Sequence, residues 1–320
     1  MKKSLSIFLF LLFCFNTDVS SQKKQKNTWT KEQDSKSDYQ YKTHFYLALK
    51  EKSLENFDEA LKHFLKCIKL NPNEAAAFYE SAIIYSNNQE YKLSLEYSKI
   101  ASELDDKNKW YLEFYAQNLY NNREFYKAIK VYKLLIKQHP ENQDYYLQLA
   151  DTYIFYGKLK EAIKVYDNLE KQKGTNRFIS ITKHRMYLDL NDIKSAIKEM
   201  ENIISEFPKD KEAYVLLSDC YILNNDFDKA FEVLKKIVEI DPNDISVHLS
   251  LSDFYYKKGD NKKYFEELNI AFSSDKLDVQ SKIQKIIPLL EKEENSDSLG
   301  HTQLMNLIKI LVSVHPENAI

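Results

Sequence analysis

A periodic helix-stop signal divides most of this chain of 320 residues into repeats of 34 residues. Seven marks, four of them proline, each lie 34 residues after the one before: Pro72, Asp106, Pro140, Gly174, Pro208, Pro242 and Lys276. Two residues after each mark comes a residue that is usually Asn or Asp: Glu74, Asn108, Asn142, Asn176, Asp210, Asp244 and Asp278. Proline ends helices, and Asn or Asp favours the N-cap of the next helix. The period therefore predicts a helix end followed by a helix start, repeated along the chain.

A second helix is predicted within each repeat. With Tyr41 as position 1, it begins near position 17, which holds Phe57, Tyr91, Phe125, Leu159, Ile193 and Phe227. The preceding position offers N-cap residues in four repeats, namely Asn56, Asp192, Asp226 and Asp260. The whole chain contains only 4 Gly and 6 Pro, which suits helices better than a sheet with many turns. Each repeat is therefore predicted to be a helical hairpin in an all-α protein.

Small residues recur where the two helices of a hairpin should meet. Position 8 carries Ala48, Ala82, Ala116, Ala150, Ser218 and Ser252, and position 20 carries Ala60, Ser94, Ala128, Ala162, Ala196 and Ala230. Large residues surround them at position 11, with Tyr85, Leu119, Tyr153, Tyr187, Tyr221 and Tyr255, and at position 24, with Phe64, Tyr132, Tyr166, Met200, Leu234 and Leu268.

These positions together resemble the tetratricopeptide repeat family over seven repeats, residues 41–278. The resemblance implies an all-α, right-handed superhelical solenoid of antiparallel helix hairpins. Each hairpin in such an array buries its apolar faces against its neighbours.

Departures from the repeat pattern occur in repeats 5, 7 and 8. Repeat 5 has Lys183 and His184 where an apolar and a small residue are expected, and repeat 7 has Tyr264 at position 20. Residues 279–318 are predicted to form a degenerate eighth repeat, with an insertion in EKEENSDSLG at 291–300. Residues 319–320 would begin a further repeat, since the final HPEN repeats the phrase that starts at His139. Because no polar capping repeat follows, we interpret the chain as a fragment of a longer array, the alternative being a last helix that docks on a partner.

The N-terminal residues predict export. Lys2 and Lys3 precede an apolar run from Leu5 to Phe15, so residues 1–21 read as a signal peptide cleaved after Ser21. That run is about half the length of a membrane-spanning helix, so we expect no integral membrane span in the mature chain. Residues 22–40 are predicted to be a flexible polar lead-in. The expected location is the periplasm, the cell surface or the extracellular space.

Three cysteines bear on this interpretation. A lipid anchor on Cys14 is disfavoured because bulky Phe13 lies where a small residue is needed. Cys67 and Cys220 lie five repeats apart and are expected to be separate buried thiols rather than a disulfide.

Composition and motifs argue against several classes of function. The net charge of -2 gives no reason to expect nucleic acid as a partner. Four dispersed glycines cannot form a phosphate-binding loop, and the histidines lack the spacing of a metal-binding helix. We therefore predict a protein that is not an enzyme, with no catalytic residues, no metal site and no cofactor. The oligomeric state stays open.

One further stripe on the first helices is unusually apolar. Positions 2, 5, 9 and 12, here called the inner stripe, should face solvent, but they hold many large residues. The resemblance places this stripe in a concave groove, and the predicted partner-binding residues are Tyr79, Trp110, Tyr120, Leu147, Asp151, Ile154, Phe178, Ile181, Arg185, Leu188, Val215, Asp219, Ile222, Leu249, Asp253 and Tyr256. The alternative is that winding buries the stripe between repeats.

Position 9 places Arg185 between Asp151 and Asp219 in successive repeats. Two interpretations are open: an internal charge ladder, which is favoured, or a recognition strip for a basic or amide-rich segment.

The expected function is a non-catalytic scaffold of the bacterial cell envelope that binds a segment of another protein in this groove. A membrane-tethered structural assembly factor for an envelope or secretion complex is the alternative. Family members that bind acidic chaperone tails line their groove with Lys, Arg and Asn. The apolar and acidic stripe of this chain disfavours that function.

Overall fold

The computed structural model of the protein describes residues 36–290 and 298–318. The chain separates into two compact halves, an N-terminal half up to Val165 and a C-terminal half from Tyr166. All regular structure in the described ranges is helical. The predicted signal peptide, residues 1–21, lies outside the described residues, as do residues 22–35 of the predicted lead-in. Residues 36–40 of that lead-in belong to the first helix.

Eight helices begin before Val165. They are α1 (36–53), α2 (Phe57–Leu70), α3 (Ala75–Asn87), α4 (Tyr91–Leu104), α5 (Lys109–Asn121), α6 (Phe125–Gln138), α7 (Gln143–Phe155) and α8 (Leu159–Lys173).

The C-terminal half continues the alternation of first and second helices. It contains α9 (Arg177–Asp189), α10 (Ile193–Glu206), α11 (Lys211–Leu223), α12 (Phe227–Ile240), α13 (Ile245–Lys258), α14 (Asn261–Phe272), α15 (Val279–Leu290) and α16 (Ser298–Val314), with a 3₁₀ turn at Pro316–Asn318. From α3 to α15 the first helices begin at intervals of 34 residues, and so do the second helices from α2 to α14. The all-α array of helix hairpins is thereby confirmed.

Side-chain caps explain why the first helices start where they do. Asn108, for example, accepts a hydrogen bond from the backbone N–H of Trp110, and Asp210 accepts one from that of Ala213. Such bonds satisfy N–H groups that have no partner inside a helix. The predicted caps that form these bonds are Asn108, Asn142, Asn176, Asp210, Asp244 and Asp278. Glu74 occupies the N-cap of α3 without a side-chain bond.

The turn between the two helices of a hairpin is the same in seven repeats. Position 15 has a positive φ, between 56° and 76°, at Glu55, Gln89, Arg123, Gly157, Asn191, Asn225 and Gly259. The next residue donates its N–H to the carbonyl of position 11 over 2.8 to 3.0 Å. Left-handed backbone is strained for residues other than glycine, so packing enforces it at five of these sites.

The predicted small positions form the contact between paired helices. The alanines and serines at positions 8 and 20 are at most 3% exposed. The hydroxyl of Ser94 donates a hydrogen bond of 2.9 Å to the carbonyl of Ala82 across this contact. The predicted contact between the paired helices, here called the seam, is therefore confirmed as buried. Small residues are needed in the seam because only they let the two backbones approach closely.

Repeat 5 accommodates His184 at this seam by hydrogen bonding. Its Nδ1 atom lies 3.2 Å from the carbonyl oxygen of Ala196, at position 20 of the same hairpin. Burial lowers the pKa of His184, so the imidazole is neutral and can donate a single N–H to that carbonyl.

Lys183 of repeat 5 is buried in a cluster of carboxylates. Its Nζ atom lies 2.6 Å from Asp167 and 2.9 Å from both Glu170 and Glu199. Burial pulls the pKa of Lys183 down, but the hydrogen bonds to Asp167, Glu199 and Glu170 outweigh it and leave the pKa above its ordinary value. Burial raises the pKa of Glu199.

The two cysteines of the described residues are free and buried, as predicted. Burial raises the pKa of Cys67 and of Cys220 to about 11. Both thiols are therefore protonated and unreactive at neutral pH.

The predicted eighth repeat ends on the HPEN phrase. Lys282 on α15 is fully buried, and its Nζ atom lies 2.8 Å from the Ser274 carbonyl oxygen and 2.8 Å from His315 Nε2. Residues 291–297, most of the predicted insertion, lie outside the described ranges. Among the helices of the described ranges, none has the length and apolar character needed to cross a bilayer.

Candidate protein-binding surface

The inner stripe of the N-terminal half is partly packed and partly exposed. Tyr79 packs on Tyr111 and Phe114, with ring centroids 4.9 and 5.7 Å apart, and burial raises its pKa. Leu147, Asp151 and Ile154 on α7 are half-buried and remain in contact with solvent.

Two aromatic residues of this stripe on α5 differ in their surroundings. Trp110 is 58% exposed, and the ammonium group of Lys109 lies 4.7 Å from the centroid of its ring. Tyr120 is half-buried because Phe125 and Phe155 pack edge-on against it at 5.7 and 5.6 Å. Trp110 is therefore the more accessible of the two.

The residues at position 5 in the C-terminal half pack in or against the hydrophobic core. Ile181 is 8% exposed and belongs to a core cluster with Met200 and Leu217. It is therefore a core residue rather than part of an open surface, and we leave it out of the proposed site. Val215 and Leu249 are half-buried against other core clusters. At position 5 the alternative interpretation, burial between repeats, describes the C-terminal half better.

Positions 2, 9 and 12 of the C-terminal half are the accessible part of the stripe. Phe178 is 70% exposed, and Ile222 and Tyr256 are each 43% exposed. Leu188, also at position 12, is half-buried against the cluster that contains Ile181. The remaining exposed members are Arg185, Asp219 and Asp253.

A first cavity of about 490 Å³ opens between α11, α12 and α13. Ile222 and Asp253 line it together with Phe227, Phe231 and Phe254. Phe231 and Phe254 stack at 4.1 Å with an interplanar angle of 11°, which gives this cavity a flat aromatic wall.

A second cavity of about 630 Å³ opens between α13, α14 and α15. Leu249, Asp253 and Tyr256 line it, and Tyr264 lies behind Tyr256 with the ring centroids 5.2 Å apart. Asp253 lines both cavities, so the two adjoin at this residue. Four predicted residues, Ile222, Leu249, Asp253 and Tyr256, are thus brought together.

The charges at position 9 do not form the expected ladder within the C-terminal half. Among the described side chains of the C-terminal half, no ion pair joins Arg185 to Asp219. Asp253 instead pairs with Lys285 on α15 at 2.6 Å. Asp219 is exposed as a whole residue, but partial burial of its carboxyl group raises its pKa above the ordinary value.

Several exposed aromatic residues lie beside the inner stripe and were not predicted from the sequence. Phe155 and Tyr156 follow the inner stripe of repeat 4 at positions 13 and 14, and they are 66% and 43% exposed. Phe227 at position 17 of repeat 6 is 45% exposed. The signal that could have found them is the presence of large apolar residues in a turn or at the helix ends that flank it, where polar residues are usual.

Two segments of the sequence match family models described as tetratricopeptide repeat, over residues 41–74 and 187–253. The first segment coincides with repeat 1. Among curated proteins nothing matches the sequence.

Solved structures share the fold. A chain of the structure of Naa15/Naa10 bound to HypK-THB is similar with a TM-score of 0.57 and 15% identity, over 89% of this chain and 47% of that one. The present chain therefore spans about half the length of that relative. The C-terminal part of a TPR repeat-containing protein from Cytophaga hutchinsonii is similar with a TM-score of 0.52 and 16% identity, over 74% of this chain and 97% of that one. At such identities the likeness concerns the fold alone.

Proposed function

Because the chain is a tetratricopeptide repeat protein, we propose that it is a non-catalytic scaffold that holds a segment of another protein against its inner stripe. The observation that carries the proposal is the pair of adjoining cavities in the C-terminal half. Both open beside exposed inner-stripe residues, and both are lined by Asp253.

The chemistry of these cavities suits a peptide. Apolar and aromatic walls give favourable burial to side chains of a partner, and a few polar groups fix its orientation. Ile222 and Tyr256 are large apolar residues that keep 43% of their surface exposed beside the cavities. A bound segment that covers them would remove apolar surface from water, which is the main driving force for association.

We further propose that the scaffold works in the bacterial cell envelope after export. Support comes from the N-terminal sequence alone, namely Lys2, Lys3 and the apolar run from Leu5 to Phe15. The mass of the mature protein tests this location. A mature N-terminus at Gln22 supports release into the envelope, whereas a lipid-modified Cys14 supports the membrane-tethered assembly factor.

The binding surface is tested by identifying the partner and then measuring its affinity. Cross-linking in the source cells identifies proteins bound to the full chain, and the purified partner is titrated into wild type and variants. The variant Ile222→Ser/Tyr256→Ser should bind about tenfold more weakly, as expected for exposed anchor residues.

The matched control is Tyr91→Ser. Tyr91 is 48% exposed but lies on α4, a second helix, so its substitution should leave the affinity unchanged. Undiminished binding by a folded Ile222→Ser/Tyr256→Ser variant would overturn the proposed surface.

A further inference from the structure

Four aromatic rings form a continuous cluster near the hairpin turns of the N-terminal half. Three of them lie outside the inner stripe, and the fourth, Tyr120, belongs to it. Phe155 contacts Tyr120, Tyr120 contacts Phe125, and Phe125 contacts Tyr156, with ring centroids 5.6, 5.7 and 6.3 Å apart. We call these four residues the aromatic turn cluster. They come from two successive repeats, so the cluster exists only in the folded array.

The aromatic turn cluster is accessible and unusual among the repeats. Phe155 is 66% and Tyr156 is 43% exposed. In the other repeats positions 13 and 14 hold Ser-Leu, Asn-Asn, Asn-Asn, Asp-Leu, Leu-Asn and Lys-Lys, so repeat 4 alone places two aromatic residues there. Large apolar side chains that stay exposed at the end of a helix and in the following turn contribute little to the core, and they are typical of interaction sites.

Two cations border the aromatic turn cluster. Arg123 lies in the turn between α5 and α6, and Lys158 lies in the turn between α7 and α8, with its ammonium group 5.9 Å from the Tyr156 ring. Among the side chains that the structure describes, neither cation takes part in an ion pair. Glu124, also at this turn, already pairs with Lys127.

The segment around the cluster has an excess of positively charged residues, which the whole chain does not have. Residues 121–164 contain eight Lys and Arg against five Asp and Glu, whereas the entire chain has a net charge of -2. A partner with carboxylates would therefore be attracted to this surface, while a basic partner would be repelled.

We propose that the aromatic turn cluster is a second docking surface, which takes a partner segment with apolar or aromatic side chains flanked by carboxylates. It goes beyond the inner-stripe function and, apart from Tyr120, which belongs to both surfaces, rests on different residues. Apolar side chains of the segment would pack on Phe155 and Tyr156, and its carboxylates would pair with Arg123 and Lys158.

Three labelled peptides test this charge preference by fluorescence anisotropy with the full chain. They are AEEFLEELFEEA and its lysine and glutamine analogues, AKKFLKKLFKKA and AQQFLQQLFQQA. The acidic peptide should bind at least about fivefold more tightly than the glutamine peptide at low salt, and the advantage should shrink as added salt screens the charges. Equal binding of the three peptides would overturn the proposal.

Two variants locate the site. Phe155→Ser/Tyr156→Ser should weaken binding of the acidic peptide about tenfold, because it removes the apolar anchors. Arg123→Gln/Lys158→Gln should abolish the preference for the acidic peptide and leave the weaker binding of the glutamine peptide unchanged.

The matched control is Leu223→Ser, which removes a 58% exposed apolar residue at position 13 of repeat 6. It should bind the acidic peptide like wild type. Circular dichroism verifies that each variant is folded, which exposed substitutions should allow. Full-strength binding by Phe155→Ser/Tyr156→Ser, or self-association of the wild type that this variant abolishes, would overturn the proposal. In the second case the surface would belong to a second copy of the chain.

Discussion

The Nζ atom of Lys183 lies 2.9 Å from the Oε1 atom of Glu199, and both side chains are buried. This pair joins α9 to α10 in the repeat that departs most from the pattern of apolar and small residues. The other carboxylate oxygen of Glu199 has no hydrogen-bond partner among the described atoms. Removal of the Lys183 ammonium group would leave the buried carboxylate of Glu199 without a compensating cation, so this pair is more costly to break than an exposed one.

The substitution Lys183→Met should therefore destabilise the protein by about 3 to 5 kcal/mol. It leaves the carboxylates of Glu170 and Glu199 together without their shared cation. Urea unfolding followed by circular dichroism gives the free energy of unfolding. Lys285→Met is the control, because the ion pair of Lys285 with Asp253 is partly exposed and should contribute less than about 1 kcal/mol. Equal losses of unfolding free energy in the two variants would mean that burial does not make the ion pairs of Lys183 more important than that of Lys285.

Acid should weaken the contact between the start of α9 and the start of α11, which Asp210 caps. Hydrogen bonds from the Arg177 guanidinium hold the pKa of Asp210 below its ordinary value, and the backbone N–H of Ala213 adds to this effect. The ionised carboxylate is thus favoured in the folded protein. The stabilising contribution of the Asp210 carboxylate is complete above the pKa of about 3.9 that aspartate has in the unfolded chain. It is lost as the pH falls through the lower pKa that Asp210 has in the folded protein.

The variant Asp210→Asn tests this dependence, since asparagine keeps the N-cap and loses the charge. At pH 7 the variant should unfold at a lower urea concentration than wild type, and the difference should disappear in strong acid. An unchanged difference between the two midpoints across this range would show that the charge of Asp210 is not responsible.

The fold was predictable because the sequence repeats its local signals. N-cap residues such as Asn142 and seam residues such as Ala128 recur with the period that the helices follow. The departures of repeat 5 could be located but not explained from sequence, because the partners of Lys183 and His184 lie on other helices.

The site was predictable only in part. Helical periodicity identifies the face on which Ile181 and Ile222 lie, but not how closely the next repeat packs over each position. Ile181 is therefore a core residue, whereas Ile222 is open to solvent. Phe155 was missed because it is the last residue of α7, at position 13 and outside the inner stripe, and its contact with Tyr120 links residues of different repeats.

The positive φ at position 15 predicts that glycine stabilises the turn, so two opposite substitutions at equivalent positions should have opposite effects on stability. Gly259 has a φ of 76°, and a Cβ atom there would meet nothing within 4 Å, so Gly259→Ala should cost about 1 kcal/mol through backbone strain alone. Gln89 has a φ of 63° at the same position of repeat 2, so Gln89→Gly should relieve strain and stabilise the protein by about 0.5 kcal/mol. Thermal unfolding of both variants measures the two changes. A loss of stability in Gln89→Gly would mean that the entropy of the unfolded chain outweighs the strain.

The seam between paired helices predicts intolerance of large residues. Ala162 on α8 is completely buried at position 20, where the backbones of the hairpin approach each other. Ala162→Leu should force the helices apart and cost about 1 to 3 kcal/mol, because a close-packed contact has no space for three further carbons. Lys164→Leu introduces the same side chain at an exposed position of the same helix and should change stability by less than about 0.5 kcal/mol. Urea unfolding of both variants provides the comparison, and an Ala162→Leu protein as stable as Lys164→Leu would mean that the hairpin does not pack through its small residues.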